Sequence, residues 1–283
     1  MEIARVGVVG LGTMGAGIAQ VCLQAGFEVV GREMQPELGE RARGTIDHYL
    51  GRGVEKERLT QDEKDAALGR LTLTTELVDL ADCQLVIEAA FEDLEVKREL
   101  FGKLDRLVPP PAILATNTSA LSVTQIADAT QAPERVVGMH FFNPAPVLPL
   151  VEVVRTAHTS DDAFDTAFAF ARQLGKEPVA CNDTPGFIVN RILIPLLNDC
   201  VRVLDEARVS PDDVDRAMRF GAGWPIGPCA LIDLIGVDIH VHASEALYGA
   251  LGEERMAPPE RLLELQREGQ LGRKTGRGFF EYS

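Results

Sequence analysis

Arg5-Val6-Gly7-Val8-Val9-Gly10-Leu11-Gly12-Thr13-Met14-Gly15, continued by Ala16-Gly17-Ile18-Ala19-Gln20-Val21-Cys22-Leu23-Gln24-Ala25-Gly26-Phe27-Glu28-Val29-Val30, is the stretch on which the fold turns. A short β-branched run ends in a glycine turn. The residues after it place Ile18, Val21 and Cys22 on one helical face, and Gly26 stands where a helix stops. Phe27 to Val30 then reads as a second strand. Strand, G-x-G-x-x-G turn, helix and strand in one short unit is the arrangement that dinucleotide binding requires. Gly10 permits the tight turn, Gly12 admits a pyrophosphate to the backbone, and Gly15 lets helix and strand pack closely. The N–H groups around Thr13 and Met14, at the helix N-terminus, would face that anion. At the end of the second strand stands Glu33. An acid there bonds the adenosine ribose hydroxyls and repels a 2′-phosphate, which favours NAD over NADP. The adjacent Arg32 keeps NADP open, since an arginine accepts that phosphate; it reads equally well as a solvated surface charge.

The 283 residues carry 28 Lys+Arg against 43 Asp+Glu, a formal net charge of −15. With 46% hydrophobic residues and a mean hydropathy of +0.02, the composition is that of a folded globular chain with room for one large core or two ordinary ones. Both sides of residue 182 are net acidic. A general nucleic-acid or anionic-membrane binder, dependent on clustered cations, is therefore excluded. Cys22, Cys83, Cys181, Cys200 and Cys229 are odd in number and widely spaced, with no C-x-x-C pair. They read as reduced, mostly buried thiols, with no disulfide framework and no metal site. No basic leader precedes the first strand, and no window approaches the roughly 20 apolar residues of a membrane span. The expectation is a cytoplasmic protein.

Farther along, residues 36–68 are helical in pattern, with two helices expected around Gly51-Arg52-Gly53. Strand-like runs follow at 71–74, 85–88, 112–115, 135–138 and 147–154, alternating with helical segments at 95–107, 122–129 and 161–174. That alternation implies a parallel sheet with helices on both faces. After Asp183-Thr184-Pro185-Gly186 the texture becomes helical, with one long apolar helix at 190–207 that Pro195 should kink. Ser210-Pro211-Asp212-Asp213 reads as a helix start. Only Gly278-Phe279-Phe280 looks strand-like in this half. The fold class is thus α/β: a Rossmann-type, mostly parallel sheet domain over 1–183, followed by an all-α C-terminal domain over 184–283.

Two clusters carry candidate chemistry. His140 lies between an apolar strand and the loop Phe141-Phe142-Asn143-Pro144-Ala145-Pro146. Taken alone it is more commonly a satisfied core histidine. Downstream, Leu150-Val151-Glu152-Val153-Val154 places a carboxylate in an apolar run, where it needs a partner. If the two strands meet, Glu152 accepts from one imidazole nitrogen and leaves the other to take a proton, a general-base dyad. The second cluster is Thr116-Asn117-Thr118-Ser119. It follows a strand at the expected ligand crevice, and suits either ribose, nicotinamide and substrate contacts or helix capping.

The blocks Gly10-Leu11-Gly12-Thr13-Met14-Gly15-Ala16-Gly17, Val86-Ile87-Glu88-Ala89-Ala90, Asn117-Thr118-Ser119, His140-Phe141-Phe142-Asn143-Pro144, Pro185-Gly186-Phe187-Ile188-Val189-Asn190-Arg191 and Leu271-Gly272-Arg273-Lys274-Thr275-Gly276-Arg277-Gly278-Phe279 occur in this order along the whole chain. Jointly they resemble the 3-hydroxyacyl-CoA dehydrogenases, the bacterial 3-hydroxybutyryl-CoA dehydrogenases fitting best. The resemblance implies NAD-dependent oxidation of a short-chain (S)-3-hydroxyacyl-CoA, reversibly, with His140 as base and Glu152 orienting it. It implies that Ser119 and Asn190 contact the substrate's 3-oxygen and thioester region. Gly10, Gly12, Thr13, Met14, Gly15, Glu33, Glu92, Lys97, Asn117, Asn143 and Lys274 are implied cofactor contacts. Arg52, Lys56 and Arg58 are implied to meet the CoA tail, and the helical domain to form a homodimer. Two departures stand out: Glu33 replaces the family's usual Asp, and the cations at 52–58 are interleaved with Glu55 and Glu57. A carrier-protein-bound thioester, a non-thioester hydroxy acid, and a non-catalytic NAD-binding protein are the alternative readings.

Overall fold

The structure, a computed structural model, describes residues 2–282. The chain divides into two compact units, Met1–Thr184 and Pro185–Ser283. In the first, the elements run β1 (Arg5–Val9), α1 (Thr13–Gln24), β2 (Glu28–Arg32), α2 (Pro36–Glu55), α3 (Gln61–Gly69), β3 (Leu71–Thr74), β4 (Leu85–Glu88) and α4 (Leu94–Leu107). They continue with β5 (Ile113–Thr116), α5 (Val123–Ala127), β6 (Val136–Phe141), β7 (Leu150–Arg155), α6 (Asp161–Gln173) and β8 (Glu177–Asn182). One eight-stranded sheet results, in the order β3-β2-β1-β4-β5-β6-β7-β8. Only the β6–β7 pair is antiparallel. The parallel strands are short and apolar because helices cover them: every residue of β4 and β5 is buried. Val6, Val8, Ile18, Leu23, Ile87, Ala115 and Val137 belong to the resulting core.

The chain order reverses between β1 and β4, so the crevice outside the carboxyl ends of these strands is the natural ligand site of the sheet. At that edge Gly10 holds φ at +85°, and a Cβ on Gly15 would lie 1.7 Å from the carbonyl oxygen of Gly10. Both glycines are demanded by the turn itself.

Two local expectations are revised and one strand is added. The helix expected to break at Gly51-Arg52-Gly53 runs through them, because Ala42, Ile46 and Leu50 bury one continuous stripe. The interruption falls at residues 56–60 instead, where Thr60 and Glu63 form a reciprocal capping box that restarts the chain as α3. Strand β8 has no apolar signature. It is an edge strand with Pro178 at its second position, recruited by pairing with β7. Gly278-Phe279-Phe280 is not a strand; its neighbourhood forms only isolated bridges, and the carboxylate of Asp233 accepts from the Phe279 and Phe280 amides.

The second unit is helical: α7 (Val189–Glu206), α8 (Pro211–Gly221), α9 (Pro228–Ile235), α10 (Val237–Leu251) and α11 (Glu260–Arg267). α7 continues through Pro195 and buries Leu197, Val201 and Leu204 against Cys229, Ile232, Val237 and Val241. At its middle, buried Asn198 is a polar hub. Its Oδ1 accepts from His240 Nε2 at 2.8 Å and Ser244 Oγ at 3.3 Å, and its amide donates to the Met256 carbonyl at 3.1 Å. Burial drives the His240 pKa down from 6.5 to about 4. Above pH 6.5 neither folded nor unfolded chain holds that proton; below it the unfolded chain takes the proton and the folded chain refuses it. The difference withdraws about 3 kcal/mol of stability as the pH falls to about 4. Thermal melts from pH 7 to 4 are expected to show this acid loss in the native chain and a shallower one in His240→Gln. Parallel slopes for the two would remove His240 from the account.

No helix among the described residues is long and apolar enough to cross a membrane.

Candidate active site

The site residues of the first unit gather at one edge of the sheet because each follows a parallel strand there. The glycine turn follows β1, Glu33 follows β2, Glu88 ends β4, Thr116 and Asn117 end β5, and His140 lies near the end of β6.

At the turn, α1 starts on Gly12 with no side-chain cap and no acid in its first turn, so its leading N–H groups are not answered by a side chain of that helix. A Cβ placed on Gly12 meets nothing within 4 Å, and its φ of −63° suits any residue. Nothing inside the chain requires glycine at position 12, and its absent side chain leaves the backbone there open to a group from outside. The turn therefore fits a dinucleotide pyrophosphate. Glu33 is drawn to the same place: its Oε2 accepts from the Leu11 amide at 2.9 Å and its Oε1 from the Met34 amide at 2.8 Å. Arg32 instead directs its Nε to the Thr75 carbonyl at 3.1 Å.

On the other side, β6 and β7 pair antiparallel with His140 directly opposite Glu152. Opposed residues on one sheet face are within side-chain reach, and here His140 Nδ1 lies 2.7 Å from Glu152 Oε2. The two side chains are 7% and 1% exposed, which makes the contact a buried one. An ionised carboxylate only accepts, so against one the imidazole donates through Nδ1. The ring also packs at 4.4 Å between centroids against Phe142. Asn117 ties β5 to this strand by accepting from the Phe141 amide at 2.9 Å.

Between these two regions lies a network that the sequence did not disclose. Lys97 Nζ, from α4, lies 2.5 Å from Glu88 Oε1 and 3.3 Å from Glu92 Oε2. Glu92 Oε1 accepts from Thr118 Oγ1 at 2.5 Å and from the amide of Ser119 at 2.9 Å. Burial on its own would raise the Glu92 pKa; Lys97 and the donors from Thr118 and Ser119 outweigh it and hold the carboxyl below its ordinary value. Lys97 is 1% exposed, so its charge is spent on two carboxylates. The available signal was Glu88 itself, an acid closing the apolar run Leu85-Val86-Ile87.

Asn143 is exposed on the loop after β6, while Arg52, Lys56 and Arg58 are exposed at the end of α2 and in the turn beyond it. In the second unit, Asn190 occupies the first turn of α7. Lys274 Nζ is held by both oxygens of Asp238, at 2.5 and 2.6 Å. Lys176, a buried cation with no sequence signal, donates from Nζ to the carbonyls of Ala145 at 2.5 Å and Leu148 at 2.9 Å, pinning the loop after His140. Among the described residues no group of acidic, His and Cys side chains could hold a metal ion.

Residues 5–184 match the family model described as 3-hydroxyacyl-CoA dehydrogenase, NAD binding domain, and residues 186–282 match that of the C-terminal domain. A 3-hydroxybutyryl-CoA dehydrogenase of Mycobacterium tuberculosis is 46% identical over 282 residues, covering 99% of each chain. A 3-hydroxyadipyl-CoA dehydrogenase of Escherichia coli is 41% identical over 283 residues, 100% of this chain and 60% of that protein. The crystal structure of (S)-3-hydroxybutyryl-CoA dehydrogenase from Ralstonia eutropha superposes with a TM-score of 0.96 at 41% identity, covering 100% of both chains. The chain belongs to the 3-hydroxyacyl-CoA dehydrogenase family of NAD-dependent oxidoreductases, with residues 5–184 as its NAD-binding domain and 186–282 as its C-terminal domain.

Proposed function

We propose that the chain interconverts short-chain (S)-3-hydroxyacyl-CoA and 3-ketoacyl-CoA thioesters, with 3-hydroxybutyryl-CoA and acetoacetyl-CoA the preferred pair. The observation that carries this reading is the buried His140–Glu152 contact at the ligand edge of a sheet whose first turn fits NAD. Bound NAD supplies the acceptor for the hydride that leaves the substrate's C3. His140 Nε2 takes the 3-hydroxyl proton as that hydride departs and returns it in the reverse direction, so one proton and one hydride are accounted for each way. Glu152 orients the ring through Nδ1 and stabilises the imidazolium once it forms. Ser119 and Asn190 are the proposed contacts to the 3-oxygen and the thioester region. Gly10, Gly12, Thr13, Met14, Gly15, Glu33, Asn117 and Asn143 are the proposed cofactor contacts, joined by Glu92 and Lys274; Lys97, 1% exposed between two carboxylates, acts from behind Glu92 and not as a direct contact. Arg52, Lys56 and Arg58 offer exposed positive charge to the phosphates of a CoA tail. We further propose a cytoplasmic homodimer assembled through the helical unit. Ile192 and Val203 on α7, Phe220 on α8, Leu234 on α9 and Ile239 on α10 are among its exposed apolar residues, and light scattering reads the mass.

An absorbance assay at about 340 nm tests cofactor and substrate together, by crossing NADH and NADPH with acetoacetyl-CoA and a longer 3-ketoacyl-CoA. NADH is expected to be the better reductant by about tenfold or more, because Glu33 meets the 2′-position with negative charge. Acetoacetyl-CoA is expected to be the better acceptor. Turnover of a free or carrier-protein-bound 3-keto acid, with none of acetoacetyl-CoA, would overturn the CoA assignment.

A further inference from the structure

We propose that Glu88 is a positioning residue for the reaction. Through Lys97 and Glu92 it holds the loop at 118–121, and with it Ser119, in one geometry. The proposal rests on the reading of Ser119 as a substrate contact. Glu88 is completely buried, so it touches neither substrate nor cofactor. Three donors hold its carboxylate: Lys97 Nζ at 2.5 Å and the Ala90 amide at 2.7 Å on Oε1, and Thr116 Oγ1 at 2.7 Å on Oε2. The far side of Lys97 meets Glu92. The loop wraps Glu92 in turn, with Thr118 Oγ1, the Ser119 amide and the Ala120 amide all donating to one oxygen. Thr118 Oγ1 also accepts from the Leu121 amide at 2.9 Å, which closes the loop on itself. The route Glu88–Lys97–Glu92–Ser119 is thus charged or charge-assisted at each link, and a weaker neutral route runs beside it, the Thr118 amide donating to Thr116 Oγ1 at 3.3 Å.

Placing two carboxylates about one buried ammonium is a poor route to stability, since desolvation offsets much of the attraction and packed apolar side chains would serve as well. What such a network does supply is direction. Each bond has a fixed length and angle, and the loop has one place to sit. Lys97 therefore acts here as a strut between two carboxylates, and Glu88 sets where the strut stands.

Glu88→Gln keeps the shape and removes the charge. It is expected to lower kcat for acetoacetyl-CoA by about ten- to a hundredfold, as small misplacements of a contact do. NADH affinity, read by fluorescence titration, should fall by less than kcat does, because Glu92 is one of many proposed cofactor contacts. In a Ser119→Ala background the same substitution should cost less than about threefold, because the group it positions is already gone. Amide hydrogen exchange should quicken at residues 118–121 while β4 and β5 keep their protection. Additive losses in the double variant, an unchanged loop, or exchange rising uniformly through the sheet would each overturn the proposal. If Glu88→Gln does not fold, Glu88→Asp, which keeps the charge but draws the carboxylate back from Lys97 by one methylene, takes its place in every arm. If the wild-type protein does not reduce acetoacetyl-CoA, the substrate reading fails, and hydrogen exchange still decides whether Glu88 holds the loop.

Discussion

His140→Ala is expected to lower kcat for acetoacetyl-CoA reduction by about 10²- to 10⁴-fold, the span that a positioned general acid or base contributes. NADH binding should survive, because the glycine turn and Glu33 lie across the sheet order from β6. The size of the effect follows from the chemistry at C3. A hydride arriving at a ketone builds alkoxide character on the oxygen, and without a proton donor that charge must be met by water or by neutral hydrogen bonds. Glu152→Gln is the companion variant. Its amide oxygen can still accept from Nδ1 over the same 2.7 Å contact, but it cannot stabilise an imidazolium. A smaller loss, about ten- to a hundredfold, is therefore expected for it. Circular dichroism at the assay temperature checks that both variants are folded, since each disturbs a buried pair. Turnover by folded His140→Ala within about tenfold of wild type would remove the proton-transfer role.

The turn supplies the second large effect, and it splits into two variants with opposite signatures. Gly15→Ala puts a Cβ 1.7 Å from the Gly10 carbonyl oxygen and 2.8 Å from its carbon. Those are backbone atoms and no rotamer relieves the clash, so either α1 or the turn must shift. A loss of about 3 kcal/mol or more is expected, about 10 °C in melting temperature. Gly12→Ala meets no protein atom within 4 Å and should melt within about 2 °C of the parent. Its methyl group instead stands where a pyrophosphate approaches the helix N-terminus, and NADH affinity should fall by about tenfold or more. Calorimetry and NADH fluorescence separate the two. If Gly12→Ala binds NADH as the parent does, the phosphates are not held at this turn.

The glycine turn was legible because its residues act locally: their spacing, the strand before them and the helix after them all lie in one continuous stretch. The same holds for most of the sheet, whose buried strands are short apolar runs. Strand β8 was not legible, since an edge strand needs only a partner, and Glu177–Asn182 obtains one from β7 without an apolar pattern of its own. The helix break near Gly51 and Gly53 was misplaced because the buried stripe of Ala42, Ile46 and Leu50 outweighs the weak helix propensity of two glycines. At the candidate site, His140 and Glu152 were each readable as oddities, a histidine and an acid among apolar neighbours. Their contact was not, because twelve residues of separation do not specify a register. Glu88, Lys97 and Glu92 were harder still. They come from a strand, a helix and the loop between them, and nothing in their spacing says that one ammonium serves both carboxylates.

The sequence by itself therefore determined the class of fold, the dinucleotide turn and the identity of the candidate groups, because each depends on periodicity or on neighbours along the chain. Only the tertiary structure decided which groups meet: the β6–β7 register that sets His140 against Glu152, and the ion pairs that run from Glu88 through Lys97 and Glu92 to the loop of Ser119. A hydrogen bond is made across about 3 Å of space, whatever the distance along the chain, and that space exists only once the sheet has closed.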